Sequence, residues 1–167
     1  ELIDRADIPR LGALGITASV QPPHAPGAMD FPLEAMAVVI PQDRWPDAYL
    51  CRTLAEHAAP LAFASDWPVT DVSVMRGIQA ALTRAPYAGA PDERVGLEEV
   101  LRAYTAGGAW AAHMEALTGT LREGMAADLV LIDADIESLP AGRIGATGIA
   151  LTLCAGQITY SHADFTI

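Results

Sequence analysis

The sequence predicts an α/β fold in which parallel strands alternate with helices, followed by a small β module. Three observations predict it. A helical pattern followed by a short apolar strand occurs twice, over residues 7–20 and 45–64, the order that a parallel sheet requires. The second strand is a continuous apolar run, Leu61 to Ala64, halted by Ser65, Asp66, Trp67 and Pro68. That is the pattern of a buried parallel strand whose end turns out into a loop. Towards the end of the chain Ile149, Leu151 and Leu153 alternate with small or polar residues, the period of a half-buried hairpin.

Taken in order, Asp7 reads as a helix N-cap with Pro9 in the first turn, Leu11 and Leu14 as an apolar face, and Gly15 as the stop. Ile16–Val20 is the first strand. Residues 21–32 hold four of the twelve prolines together with His24 and Gly27, an irregular loop at a strand exit, where substrate contacts are usually found. Residues 29–42 favour no single assignment. Trp45 to Ala58 is helical, with Leu50, Leu54 and Ala58 on one face, and Pro60 closes it. The strand from Leu61 then carries Asp66 to its rim, the side on which α/β barrels keep their chemistry. Pro68 cannot extend the ladder and biases Trp67 toward an extended backbone.

Asp71 is placed to cap a helix in which Val74, Ile78 and Leu82 recur at helical spacing. Residues 85–96 read as a loop bearing Pro and Gly. Leu97, Val100, Leu101 and Tyr104 mark the next helix, with Glu98 and Glu99 in the first turn, where the helix dipole favours acids. Gly107 and Gly108 are expected to interrupt it before a short helical piece, 109–116. Residues 119–125 read as a turn, 128–133 as a β run, and 149–161 as two strands around Ala155, Gly156 and Gln157.

Composition narrows the function classes. The net charge of −11 argues against nucleic acid and anionic membrane surfaces as partners. No apolar run reaches the length of a membrane span, and the expected compartment is the cytoplasm. The two cysteines, Cys51 and Cys154, are too few and too distant for a disulfide framework or zinc knuckle; both read as small buried hydrophobes. Trp45 and Trp110 read as packing residues, and His57 as a histidine near a helix C-terminus.

The residues also carry a resemblance. Ala64 to Val69, then Ile78 to Arg84, resemble the last barrel strand and following helix of amidohydrolase family 3. Its members include the YtcJ-like and N-substituted formamide deformylase-like proteins of the metal-dependent amidohydrolase superfamily. The likeness continues through Glu99 to Gly107 and through Gly119 to Leu131, which is similar to the superfamily's closing segment. Upstream, Asp7 to Arg10 and Ser19 to His24 look like the helix and seventh strand of the same family.

The resemblance implies the C-terminal part of a (β/α)8 TIM barrel, its last two strands and helices, over residues 1–116. Part of a small composite β-sandwich follows over 117–167. It also implies hydrolysis of an amide, formamide or related C–N bond at a metal-activated water. Asp66 is then the metal-adjoining carboxylate that acts as general base and then general acid. Trp67 is pocket wall, and His24 meets the substrate or the developing oxyanion. The cofactor implied is a divalent metal, zinc first, and the substrate a small-molecule amide.

The departures matter too. No two of His24, His57, His113 and His162 form a His-x-His pair, and all ten basic residues are Arg, so no carboxylated lysine is available. One carboxylate does not hold a catalytic metal, which takes about three protein ligands. The expectation is a C-terminal portion with six of eight strands upstream of Glu1. A non-catalytic piece that binds or assembles is the alternative.

Two strands do not close a barrel, and an unclosed sheet leaves an edge and apolar surface for another chain. The isolated chain is therefore expected to pair with the upstream part, self-associate or aggregate. A monodisperse 17.5 kDa monomer in light scattering, with a cooperative thermal transition, would overturn that expectation.

Overall fold

The computed structural model describes residues 1–26, 28, 32–84, 87 and 89–165, with backbone alone at 35 and 36. Gly27, positions 29–31 of the ambiguous stretch, and 85, 86 and 88 of the loop read over 85–96 lie outside the described residues.

Helix α1 spans Ile8–Leu14, with Pro9 in its first turn. Gly15, at φ 65°, ends it and returns its N–H to the carbonyls of Gly12 and Leu11, the left-handed stop that glycine adopts most readily. The Ile16 N–H also closes on Leu11 (2.8 Å). That bond draws Ile16 into the helix end, so β1 covers Ala18–Val20 and begins two residues later than expected.

Strand β2 spans Leu61–Phe63 and runs parallel to β1, with Ala18 opposite Leu61, Ser19 opposite Ala62 and Val20 opposite Phe63. The ladder is extended by Ala18 N–H to Pro60 (2.8 Å) and Ala64 N–H to Val20 (3.1 Å). Both strands therefore run out at the same level.

The ambiguous stretch contains helix α2, Leu33–Val39. The single helix expected over 45–58 is instead two pieces, a 3₁₀ segment Gln42–Asp47 and helix α3, Cys51–Glu56. Ala48 is extended and bridges to Leu2, and Tyr49 stands at φ 53°. The carbonyls of Ala48 and Tyr49 accept from the buried guanidinium of Arg84. Backbone acceptors committed to a distant side chain do not serve a helix. Helix α3 is capped from outside: buried Glu93 accepts the Thr53 N–H (2.9 Å) and the Thr53 hydroxyl (2.6 Å), filling the place an N-cap side chain would take. His57, at its far end, donates Nδ1–H to the Thr53 carbonyl (2.8 Å).

Helix α4 spans Val74–Thr83, and its cap is Ser73, whose hydroxyl accepts the Arg76 N–H, rather than Asp71. Helix α5, Leu97–Tyr104, begins as expected, with Glu99 accepting the Gly96 N–H at 3.0 Å. The break comes at Thr105, and Gly107 and Gly108 lie inside helix α6, Ala106–Ala111. Gly107 is required there because a Cβ would overlap the Leu61 carbonyl oxygen. The helix lies that close to β2. Trp110, expected to pack, is half-exposed.

The closing segment is an antiparallel sheet of β3 (Leu129–Ile132), β4 (Ile149–Cys154) and β5 (Gln157–Ser161), in that order. Ala155 and Gly156 both take positive φ at the hairpin, as a two-residue turn between twisted strands requires. Before it, a 3₁₀ turn at Ala141–Ala146 lies against α4, and the Gly145 N–H donates to Gln79 (2.8 Å). Ile136 and Ile144 join Ile8, Leu50, Phe63, Ile78 and Val100 in one hydrophobic cluster. Each such fully buried side chain contributes roughly 1.5–3 kcal/mol. The sheet's own residues Val130, Ile158 and Tyr160 remain substantially exposed.

The cysteines differ. Cys51 is buried, and desolvation pushes its thiol up to about 11, whereas Cys154, expected to be buried, is exposed at the end of β4. A thiol reagent at neutral pH is therefore expected to label one cysteine per folded chain, Cys154, and Cys51 only in denaturant. Equal labelling rates in the folded chain would contradict this packing.

Candidate active site

The parallel register carries the loops after β1 and β2 out on the same side. Residue 24 leaves one strand and residues 65–70 leave the other, and the structure brings them together. His24 is 3% exposed, and its Nε2 lies 3.2 Å from the Ser65 carbonyl oxygen. That oxygen only accepts, so Nε2 carries the proton in this contact. Nδ1 faces the Glu1 carboxylate at 3.8 Å. In this chain His24 is a buried donor beneath the rim; the substrate contact expected of it is a proposal for a whole enzyme.

Asp66 is exposed, at φ 56°, a left-handed conformation that Asp tolerates better than most residues. The Trp67–Pro68 peptide is cis. Trp67, the next residue, is 67% exposed, and its backbone N–H donates to the Ser65 hydroxyl (3.2 Å). The Val69 N–H donates to the Asp66 carbonyl (2.8 Å). Buried Thr70 donates its hydroxyl to the Ser65 carbonyl at 2.5 Å. Beyond it, Asp71 is held below the usual carboxylate range by the Ser73 N–H and the Arg76 guanidinium, the latter at 2.5 Å.

Ser65 and Thr70 were missed in the sequence. The available signal was two hydroxyl side chains flanking a strand-end acid, a pattern that commonly ties down local backbone.

The donors present do not fit a complete metal centre. Among the described residues no three His, Cys, Asp or Glu side chains converge as a metal would require. Asp66 can contribute one carboxylate, and His24 commits Nε2 to a backbone oxygen. Among them, too, no helix is long and apolar enough to cross a membrane.

Parallel β/α units with an exposed carboxylate at the strand rim, followed by a closing antiparallel sheet, define an α/β chain. A family profile described as the amidohydrolase family matches residues 1–160. The chain belongs to that family.

Two relatives are Protein LONG AFTER FAR-RED 3 of Arabidopsis thaliana and YtcJ of Bacillus subtilis (strain 168), the latter named as an amidohydrolase. The first is 35% identical over 74% of this chain and 21% of its own length. The second is 27% identical over 98% of this chain and 31% of its own length. The chain thus spans less than a third of either. Among solved structures, an uncharacterized metal-dependent hydrolase from Pyrococcus furiosus has TM-score 0.60 and 28% identity, over 74% of this chain and 25% of that one. An adenosine deaminase from Xanthomonas campestris with bound zinc has TM-score 0.69 over 95% of this chain and 35% of that one. At 16% identity the latter likeness is one of fold.

Zinc added to the isolated chain and removed by desalting is expected to leave no stoichiometric ion. Retained zinc that disappears on Asp66→Ala substitution would reveal donors beyond those described.

Proposed function

We propose that this chain supplies the eighth-strand rim of a metal-dependent amidohydrolase acting on an amide, formamide or related C–N bond of a small molecule. The observation that carries the reading is the exposed Asp66 carboxylate in the loop just beyond the end of β2, in a chain whose family match runs almost its full length. The division into a barrel portion, 1–116, and a composite sandwich portion, 117–167, belongs to the same proposal. So does an upstream portion supplying the other strands.

Asp66 takes a proton from the attacking water as the new C–O bond forms at the carbonyl carbon. It then delivers that proton to the leaving nitrogen as the C–N bond breaks. Its exposure suits this role, because the carboxylate must reach both water and leaving group. Trp67 offers an indole face beside it for the apolar part of a substrate. The zinc-bearing neighbour and the metal-dependent hydrolase neighbour support a divalent metal in the whole enzyme. Such an ion lowers the pKa of a bound water and polarises a carbonyl, and the described residues bring no set of three donors together to hold it. That same shortage favours a second reading, in which the chain alone binds or assembles without hydrolysing.

Asp66→Asn in the full-length protein keeps size and shape but removes the base. Turnover is expected to fall by about two to four orders of magnitude, with the thermal midpoint nearly unchanged. Near-normal hydrolysis by that variant would mean that another carboxylate moves the proton.

A further inference from the structure

We infer that Thr70 and His24 are positioning residues that aim the Asp66 carboxylate by fixing the peptide plane before it. The inference rests on Asp66 as the proton-transfer group.

The Ser65 carbonyl has two lone pairs and two donors, the Thr70 hydroxyl at 2.5 Å and His24 Nε2–H at 3.2 Å. Both donors are buried, at 5% and 3% exposure, so water does not compete for the bonds. Thr70 comes back from the far side of the 65–70 loop, and His24 from the neighbouring strand's exit. This carbonyl shares a rigid plane with the Asp66 N–H, so anchoring the oxygen orients that N–H as well. The plane after Asp66 is anchored separately, by the Val69 N–H to the Asp66 carbonyl (2.8 Å) and by the Trp67 N–H to the Ser65 hydroxyl (3.2 Å).

With both flanking planes held, the Cα of Asp66 has little freedom, and its Cβ points where the two planes dictate. The φ of 56° lies in the left-handed region, which is less favourable than negative φ for any residue with a Cβ even though Asp tolerates it better than most. The four contacts therefore hold an unfavourable backbone state that presents the carboxylate at the rim. Without the Thr70 hydroxyl, residue 66 relaxes toward negative φ and the carboxylate turns away.

The test uses the metal-loaded full-length protein, with formyl and acetyl p-nitroanilides as probes. Thr70→Val keeps the shape and removes the donor. It is expected to lower kcat by about 10- to 100-fold, the scale of a displacement near 1 Å, with KM within about twofold. Thr70→Ser should restore most of the rate, and His24→Leu should behave like Thr70→Val. In an Asp66→Asn background, Thr70→Val should cost nothing more, because the group it positions is already disabled. Undiminished kcat in Thr70→Val, or the same fold-loss in both backgrounds, would overturn the inference and leave the Asp66 reading standing. Near-normal activity of Asp66→Asn would instead remove that reading, and the inference with it. A crystal structure of Thr70→Val or His24→Leu, expected to show residue 66 displaced, decides independently of activity. An unchanged φ and carboxylate position there would also overturn the inference.

Discussion

The parallel register of β1 against β2 is the constraint on which the rest of this structure depends. Three pairs, ending at Val20 opposite Phe63, bring both strands out at one level. His24 and Ser65 consequently meet although 41 positions separate them. A one-residue slip would turn the inward side chains outward and move that histidine off the carbonyl. The pairing is held by what covers it. Helix α6 approaches so closely that only glycine fits at 107, and the Phe63 ring meets Tyr104 of α5 edge-on at 5.6 Å.

Where the chain is irregular, buried polar groups replace regular ladders. Arg84 donates to the carbonyls of Ala48 and Tyr49, and burial lowers its pKa from the usual guanidinium range. Such a group is costly to desolvate unless its donors find acceptors. The irregular 48–50 segment supplies two of them. Glu93 plays the matching part for α3, closing a helix start that has no side-chain cap of its own. The same logic operates at the rim, where hydroxyl and imidazole donors saturate a strand-end carbonyl. Fold and candidate chemistry are thus held by one device, a long-range side chain completing the hydrogen bonds of irregular backbone.

Family membership and site geometry bear on different questions. The profile over residues 1–160 establishes descent, and the likeness to metal-dependent hydrolases fits the β/α architecture. The candidate chemistry comes down to one carboxylate and the groups around it, because the described residues bring no three metal donors together. The chain spans 21% and 31% of the two relatives' lengths, so the activity of a whole enzyme is a proposal that this rim supports.

The sequence by itself determined the two helix-then-strand repeats, the parallel strand that leads to Asp66, the hairpin around Ala155 and Gly156, and the family. These are local or patterned features: an apolar run, a proline stop, a turn dipeptide and matching motifs. It did not reveal the break at 48–50, the outside cap on α3, the helical placement of Gly107, or the exposure of Cys154 and Trp110. The first three depend on a group distant in sequence: Arg84 for the break, Glu93 for the cap, the Leu61 carbonyl for the glycine. His24 shows the division most clearly. Its type and loop position were legible and suggested a substrate contact, but only the strand register puts Ser65 beside it. A histidine's partner is set by which backbone the fold brings within 3.2 Å, and no local spacing encodes that.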